Sequence, residues 1–198
     1  MSNWPEDIYP ESGSRLPLPK LEEMDDYGRK VFEKIIGPGS RSVMGLHGPA
    51  GINLHSPELA ERETAVSNYL RYESGISGQV RELAILVTAR EMDSQFEWSA
   101  HEPVALREGL SPKIIDIIRY RRQVTGLPET ESVIIQFGRE MFQKKVTSET
   151  FAQALKIFGT RQLVNLVALM AHYAGIAFKL LAFDMQVSPE RKAKLNFP

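Results

Sequence analysis

Apolar residues recur at helical spacing along most of the chain. In the first such segment they are Leu21, Met24, Val31, Phe32, Ile35 and Ile36, the spacing of an amphipathic helix. Ser56-Pro57 and Ser111-Pro112 are typical of helix N-termini, and Gly109 is typical of a C-terminus. No stretch alternates for long with a period of two, as a half-buried strand would. The pattern therefore predicts an all-α fold.

Breaker residues divide this pattern into a bundle of about eight helices. The expected helices cover about 21–36, 57–74, 78–92, 94–108, 112–122, 129–145, 148–158 and 160–185. Gly159-Thr160 separates the last two, and 40–56 is expected to be a loop. The first 20 residues contain four prolines, which exclude a regular helix. We therefore predict an extended arm over 1–20 and a single helical domain over 21–198.

Composition narrows the classes of function. Hydrophobic residues make up 42% of 198 residues, enough for a sizeable core. The formal net charge is −1, so the basic face of a nucleic-acid-binding protein is not expected. The most apolar stretch, 163–183, is interrupted by polar residues and Gly175, and we interpret it as a core helix rather than a membrane span. The N-terminus lacks a basic segment followed by an apolar run, so a cytoplasmic protein is expected.

The chain contains no cysteine. Disulfides, thiolate metal sites and thiol redox chemistry are therefore excluded.

The strongest candidate site is a line of polar residues on one predicted helix. Glu97 and His101 are four residues apart and share a helix face, which Ser94 joins. A carboxylate beside an imidazole favours the imidazolium form and fixes the orientation of the ring. His101 is therefore a candidate proton donor or acceptor, and a helical hairpin would bring Glu82 towards it. The alternative is a solvated Glu–His pair on a helix surface, because such pairs are common there.

Other residues are weaker candidates with structural alternatives. Arg71, Arg81 and Arg90 are candidates for binding a substrate carboxylate, or else form salt bridges. Trp98 could stack on substrate or anchor the core, and His172 could line a pocket or be a buried, hydrogen-bonded side chain. Glu97, His101 and His172 could supply three metal ligands. No second histidine follows at ligand spacing and HExxH is absent, so no metal site is predicted.

These residues also resemble a known signature. Glu82, followed by Ser94, Glu97 and His101, resembles the carboxymuconolactone decarboxylase and alkylhydroperoxidase-D-like superfamily. Its peroxidase branch has a Glu, then Cys-x-x-Cys, then a His four residues after the second Cys. Ser94 and Glu97 stand at the two Cys positions. Thiol peroxidase activity is therefore excluded, and Glu97-Trp98 with His101 is similar to the decarboxylase-type branch.

The resemblance implies a cofactor-free, all-helical protein that self-associates as a trimer or hexamer and acts on a small molecule. In the family's decarboxylation, the lactone carbonyl of the substrate accepts the electrons left by CO2, so no cofactor is needed. His101 would protonate carbon, with Glu97 and Glu82 orienting it and Ser94 donating a hydrogen bond. An isomerase that uses the same groups, or a non-catalytic oligomeric protein that binds a small acid, remains an alternative.

Overall fold

The computed structural model describes residues 4–192 and Leu195. In these residues the regular structure is helical and no strand forms, which confirms the all-α prediction and the number of helices. The helices are α1 (Asp26–Ile36), α2 (Pro49–Asn53), α3 (Pro57–Asn68), α4 (Gly78–Glu91), α5 (Gln95–Arg107), α6 (Pro112–Arg119), α7 (Glu129–Phe142) and α8 (Ser148–Ala182). A 3-10 turn, Leu21–Glu23, precedes α1, and a π-helical turn, Tyr69–Glu73, follows α3.

Capping side chains set several helix starts. Ser77, Ser94 and Ser111 each accept a hydrogen bond from the backbone N–H three residues later, at 3.3, 3.5 and 3.4 Å. The first long helix begins later than predicted, because Asp25 accepts a bond from the Gly28 N–H at 2.7 Å and caps α1 there. The short α2 lies in the predicted loop, with a proline in its first turn.

The chain divides into two compact units. One comprises the described residues up to Tyr69 with Phe178–Arg191, and the other comprises Leu70–Ala177 with the described residues from Lys192 on. The domain boundary predicted after residue 20 lies within the first unit and stays a prediction. Residues 1–3 and most of 193–198 lie outside the described residues.

In the first unit, the segment predicted as an extended arm contains consecutive turns instead. The Ile8 N–H donates to the Pro5 carbonyl at 3.2 Å, and the Gly13 N–H donates to the Tyr9 carbonyl at 2.8 Å. Gly13 has a φ of +70°, a conformation that favours glycine. The core of this unit lies between α1 and α3 and is built on Val31, Ile35, Leu54 and Ala60.

In the second unit, α4 is the central helix and packs against α5, α6 and α7. Every residue from Arg81 to Arg90 is buried, so α4 has no solvent-exposed face over that range. Gly138 allows a close approach of helices, because a Cβ there would lie 2.6 Å from Val87 Cγ1 and 2.5 Å from Met170 Cε. A polar side chain on the middle of α4 is therefore surrounded by protein.

The last helix, α8, is interrupted where the sequence predicts a break. Gly159 has φ 67° and ψ 168°, outside the helical region and accessible essentially to glycine alone. By length and composition α8 would suffice to cross a membrane, but half of its most apolar window is buried inside the protein. The core helix of a soluble protein has the same character, so this single helix is weak evidence for a membrane span.

Candidate functional site

The candidate site is centred on a buried pair formed by α4 and α5. Glu82, on α4, is fully buried, and its Oε2 lies 2.7 Å from Nδ1 of His101, on α5. His101 is 4% exposed. The helical hairpin that the sequence predicts is thus formed, and the alternative of a solvated surface pair is wrong.

Glu82 is also held by a neighbouring guanidinium. Arg81 Nε donates to Glu82 Oε1 at 2.8 Å, and its other nitrogens donate to the Arg71 carbonyl and to Glu108 Oε1, each at 3.0 Å. Burial alone would raise the pKa of Glu82. The hydrogen bonds and charges of His101 and Arg81 outweigh burial, so the pKa of Glu82 is lowered. Glu82 is therefore an ionised acceptor, and Nδ1 of His101 carries the proton between them.

Glu97 lies on the other side of the imidazole. Its Oε2 is 3.5 Å from Nε2 of His101, and the side chain is 5% exposed. Burial raises the pKa of Glu97, although the charges of His101 and Arg71 act in the opposite direction. The environment thus favours the neutral acid at Glu97 and the carboxylate at Glu82, with one imidazole between them.

Two predicted site residues, Ser94 and Trp98, have structural roles in the fold. Ser94 is the N-cap of α5, where its Oγ accepts from the Glu97 N–H, and within the described chain it makes no hydrogen bond to His101 or Glu82. Trp98 is completely buried, and its Nε1 donates to Glu102 Oε2 at 2.6 Å. Arg119 pairs with Glu102 and lies over the Trp98 ring, 5.4 Å from its centre. These contacts indicate that Trp98 anchors the core.

The three candidate arginines are placed differently. Arg81 is committed to three acceptors beside Glu82. Arg90 donates to the Arg119 carbonyl at 2.7 Å and pairs with Asp93, so the structure does not bring it to His101. Arg71 is 8% exposed, and its charge acts on Glu97.

Tyr173, on α8, belongs to the site and was not among the predicted site residues. Its ring meets the His101 imidazole edge to face, with centroids 5.1 Å apart and an interplanar angle of 88°. Burial raises the pKa of Tyr173, and the nearby charges of Arg71, Glu97 and Glu82 also act on it. The predicted residue His172 also contacts Tyr173, with 5.9 Å between the centroids of the two rings. No cluster of three or more His, Asp or Glu arranged to hold a metal ion occurs in the part of the chain described.

Part of the chain is similar to a known protein family. Residues 57–135, which contain Glu82, Glu97 and His101, match the carboxymuconolactone decarboxylase family. The fold is similar to the crystal structure of an alkylhydroperoxidase AhpD core, an uncharacterized peroxidase-related protein from Ralstonia eutropha JMP134. The TM-score is 0.68, with 16% identity, over 94% of this chain and 98% of that one. Residues 57–135 are thus similar to that family, and the fold of the chain is similar to that of the AhpD core.

The chain has no match among the curated protein sequences. At 16% identity, the likeness to the AhpD core shows the fold alone.

Proposed function

We propose that this protein is a cofactor-independent lyase of the carboxymuconolactone decarboxylase type, acting by proton transfer on a small carboxylated lactone or related unsaturated acid. The observation that carries the proposal is the buried line of Glu82, His101 and Glu97. Two carboxyl groups whose pKa values shift in opposite directions flank one imidazole. Such divergent pairs are typical of acid–base sites.

The proposed reaction needs no external electron acceptor. The bond between the substrate carbon and its carboxylate breaks, and its electron pair moves through the double bond onto the lactone carbonyl oxygen. CO2 leaves, and a dienolate remains. His101 then protonates one carbon of the dienolate, so each turnover releases one CO2 and consumes one proton.

In the proposed reaction the two ring nitrogens of His101 have different roles. Nδ1 of His101 is held at 2.7 Å by ionised Glu82, which orients the imidazole. Nε2 is therefore the atom that gives its proton to substrate. Glu97, whose pKa is raised by burial, lies 3.5 Å from Nε2 and is placed to return a proton to it. Ser94 supports this arrangement from the N-cap of α5.

Arg71 is the arginine that we propose for the substrate carboxylate. Its charge acts on both Glu97 and Tyr173, the two groups that lie closest to the His101 imidazole on the side away from Glu82 in the proposed arrangement. A guanidinium binds a carboxylate through two parallel hydrogen bonds. His172 and Trp98 would then support the site through Tyr173 and through α5, respectively.

Self-association as a trimer or hexamer, in the cytoplasm, is part of the proposal. Apolar side chains exposed on α8 support it, and Val164, which is 62% exposed, is one of them. Sedimentation at several protein concentrations measures the assembly. A monomer at all concentrations would contradict this part alone.

The experiment is a screen of small unsaturated lactones and keto acids with the purified protein, read by mass loss and CO2 release. His101→Ala should lower kcat by roughly 10²-fold or more, the usual contribution of a general acid. The matched control is His47→Ala, because His47 is exposed and belongs to the other unit. Full turnover by His101→Ala would refute the role of His101.

Two other results would change the reaction class. Conversion without mass loss would indicate the isomerase that uses the same groups. A ligand that binds at the site and is recovered unchanged would indicate the binding protein.

A further inference from the structure

The hydroxyl of Tyr173 is at the end of a ring that packs beside the candidate acid–base groups. The side chain is 4% exposed, and its hydroxyl is not among the fully buried polar atoms that lack a partner in the described residues. The ring alone accounts for the packing against His101, so the hydroxyl is what distinguishes this residue from a phenylalanine at the same place.

The position of this side chain indicates which ligand atom it meets. Its ring packs edge to face on the imidazole that we assign as the proton donor, 5.1 Å between centroids. The charges of Glu82, Glu97 and Arg71 reach the phenol, so it lies in the same electrostatic environment as the acid–base groups. A small conjugated substrate in contact with His101 would therefore also be within reach of Tyr173.

We propose that the Tyr173 hydroxyl donates a hydrogen bond to the dienolate oxygen of the substrate, while His101 protonates its carbon. This assignment rests on the proposed function, because the dienolate is the intermediate of that reaction. The hydroxyl keeps its own proton throughout, so the overall balance of one CO2 released and one proton consumed does not change.

The environment suits a donor rather than a base. Burial raises the pKa of Tyr173 and, together with Glu97 and Glu82, outweighs the opposing charge of Arg71, so the neutral phenol persists at the pH of the cell. A neutral donor that is fixed before the reaction stabilises charge that appears only in the transition state, which raises kcat more than it lowers KM.

The first test uses 4-nitrophenol as the probe, because its phenolate oxygen mimics a dienolate oxygen and its two protonation states differ in colour. Wild-type protein should bind the phenolate form, and Tyr173→Phe should weaken that binding by roughly tenfold to a hundredfold. Tyr120→Phe is the matched control, because it also removes one hydroxyl but at a residue that is 45% exposed. Phenolate binding that is absent in wild type, or equal in wild type and Tyr173→Phe, would overturn the proposal.

A second variant keeps the side chain intact. Site-specific replacement of Tyr173 by 3-fluorotyrosine preserves the ring and makes its hydroxyl a stronger donor, so phenolate binding should tighten. Weaker or unchanged binding would count against the hydroxyl as the donor, even if Tyr173→Phe failed to fold.

Turnover separates this inference from the proposed function. On any substrate found in the screen, Tyr173→Phe should lower kcat by about 10²- to 10³-fold and change KM far less, as expected for the loss of one oxyanion donor. If His101→Ala is inactive and Tyr173→Phe is fully active, the role of Tyr173 is wrong and the lyase proposal stands. If no substrate reacts but phenolate binding depends on Tyr173, the anion site stands and the lyase proposal fails.

Discussion

Glu82→Gln isolates the charge at the centre of the site, because glutamine has nearly the same shape as glutamate. Both carboxylate oxygens of Glu82 accept hydrogen bonds, at 2.7 Å from His101 and 2.8 Å from Arg81. A glutamine has one acceptor and one NH2 group, so one of these donors would face another donor.

The magnitude follows from that geometry. Losing a hydrogen bond between charged groups costs about 1.5–3 kcal/mol, and removing one partner of a buried ion pair costs about 3–5 kcal/mol. The amide oxygen of glutamine preserves one of the two bonds, and Arg81 keeps Glu108 at 3.0 Å. We therefore expect a loss of about 3 kcal/mol in the free energy of unfolding near neutral pH, or roughly 6–12 °C in Tm for a chain of this size.

The same substitution should change how stability depends on pH. The pKa of Glu82 is lowered in the folded protein from a reference value of 4.5. Its ionised form therefore stabilises the fold fully above that value, and the contribution is lost as the pH falls through the lowered folded pKa. The deficit of Glu82→Gln relative to wild type should be constant near neutral pH and should shrink below about pH 4.5.

The assay is urea denaturation followed by tryptophan fluorescence. The chain has two tryptophans, and in a Trp4→Phe background Trp98, which is in the same unit as Glu82, is the sole reporter. Glu129→Gln is the matched control at an exposed position, with an expected change within about 0.5 kcal/mol. A loss below about 1 kcal/mol, or one that persists undiminished at pH 3, would refute this account of the buried pair.

Three other substitutions have defined expectations. Glu97→Gln should stabilise the protein near neutral pH, by about 1.4 kcal/mol for each unit by which burial raises the Glu97 pKa. This gain should vanish as the pH falls below the reference value of 4.5. Denaturation measured across this pH range tests the expectation, and a loss of stability at neutral pH would contradict it. Gly138→Ala should cost about 1–3 kcal/mol in the same assay, because its Cβ would overlap Val87 and Met170; an unchanged midpoint would show that the helices can move apart. Gly159→Ala should cost about 1–3 kcal/mol through backbone strain, and a rise in Tm would mean that α8 straightens instead.

The sequence predicted best what is encoded locally. Ser77, Ser94 and Ser111 cap helices as expected, because a cap needs only its own side chain and the next turn. Glu97 and His101 share a face for the same reason. The short α2 was missed because five residues give too little periodicity to detect.

Features that depend on packing between helices could not be predicted in this way. The residues next to Arg71 and Arg90 in the sequence do not indicate which of the two arginines lies near the site. In the described structure the charge of Arg71 acts on Glu97, whereas Arg90 donates to the Arg119 carbonyl. Tyr173 lies in an apolar helix far along the chain, and only the packing of α8 brings its ring against His101. The periodicity of a helix does not indicate which residues of other helices surround one of its side chains.

The residue that most distinguishes this candidate site from the peroxidase signature is Glu97. In the peroxidase signature that this chain resembles, a cysteine stands at that position, next to the same glutamate and histidine. A thiol there can be oxidised, whereas a carboxyl group can only exchange a proton. Burial raises the pKa of Glu97, whereas the pKa of Glu82 is lowered, so the environment favours the neutral acid facing Nε2 of His101 and the carboxylate facing Nδ1. In place of that cysteine, a buried glutamate puts a group that exchanges protons beside Nε2 of His101, the atom at which we propose that the imidazole both gives a proton to substrate and receives one back.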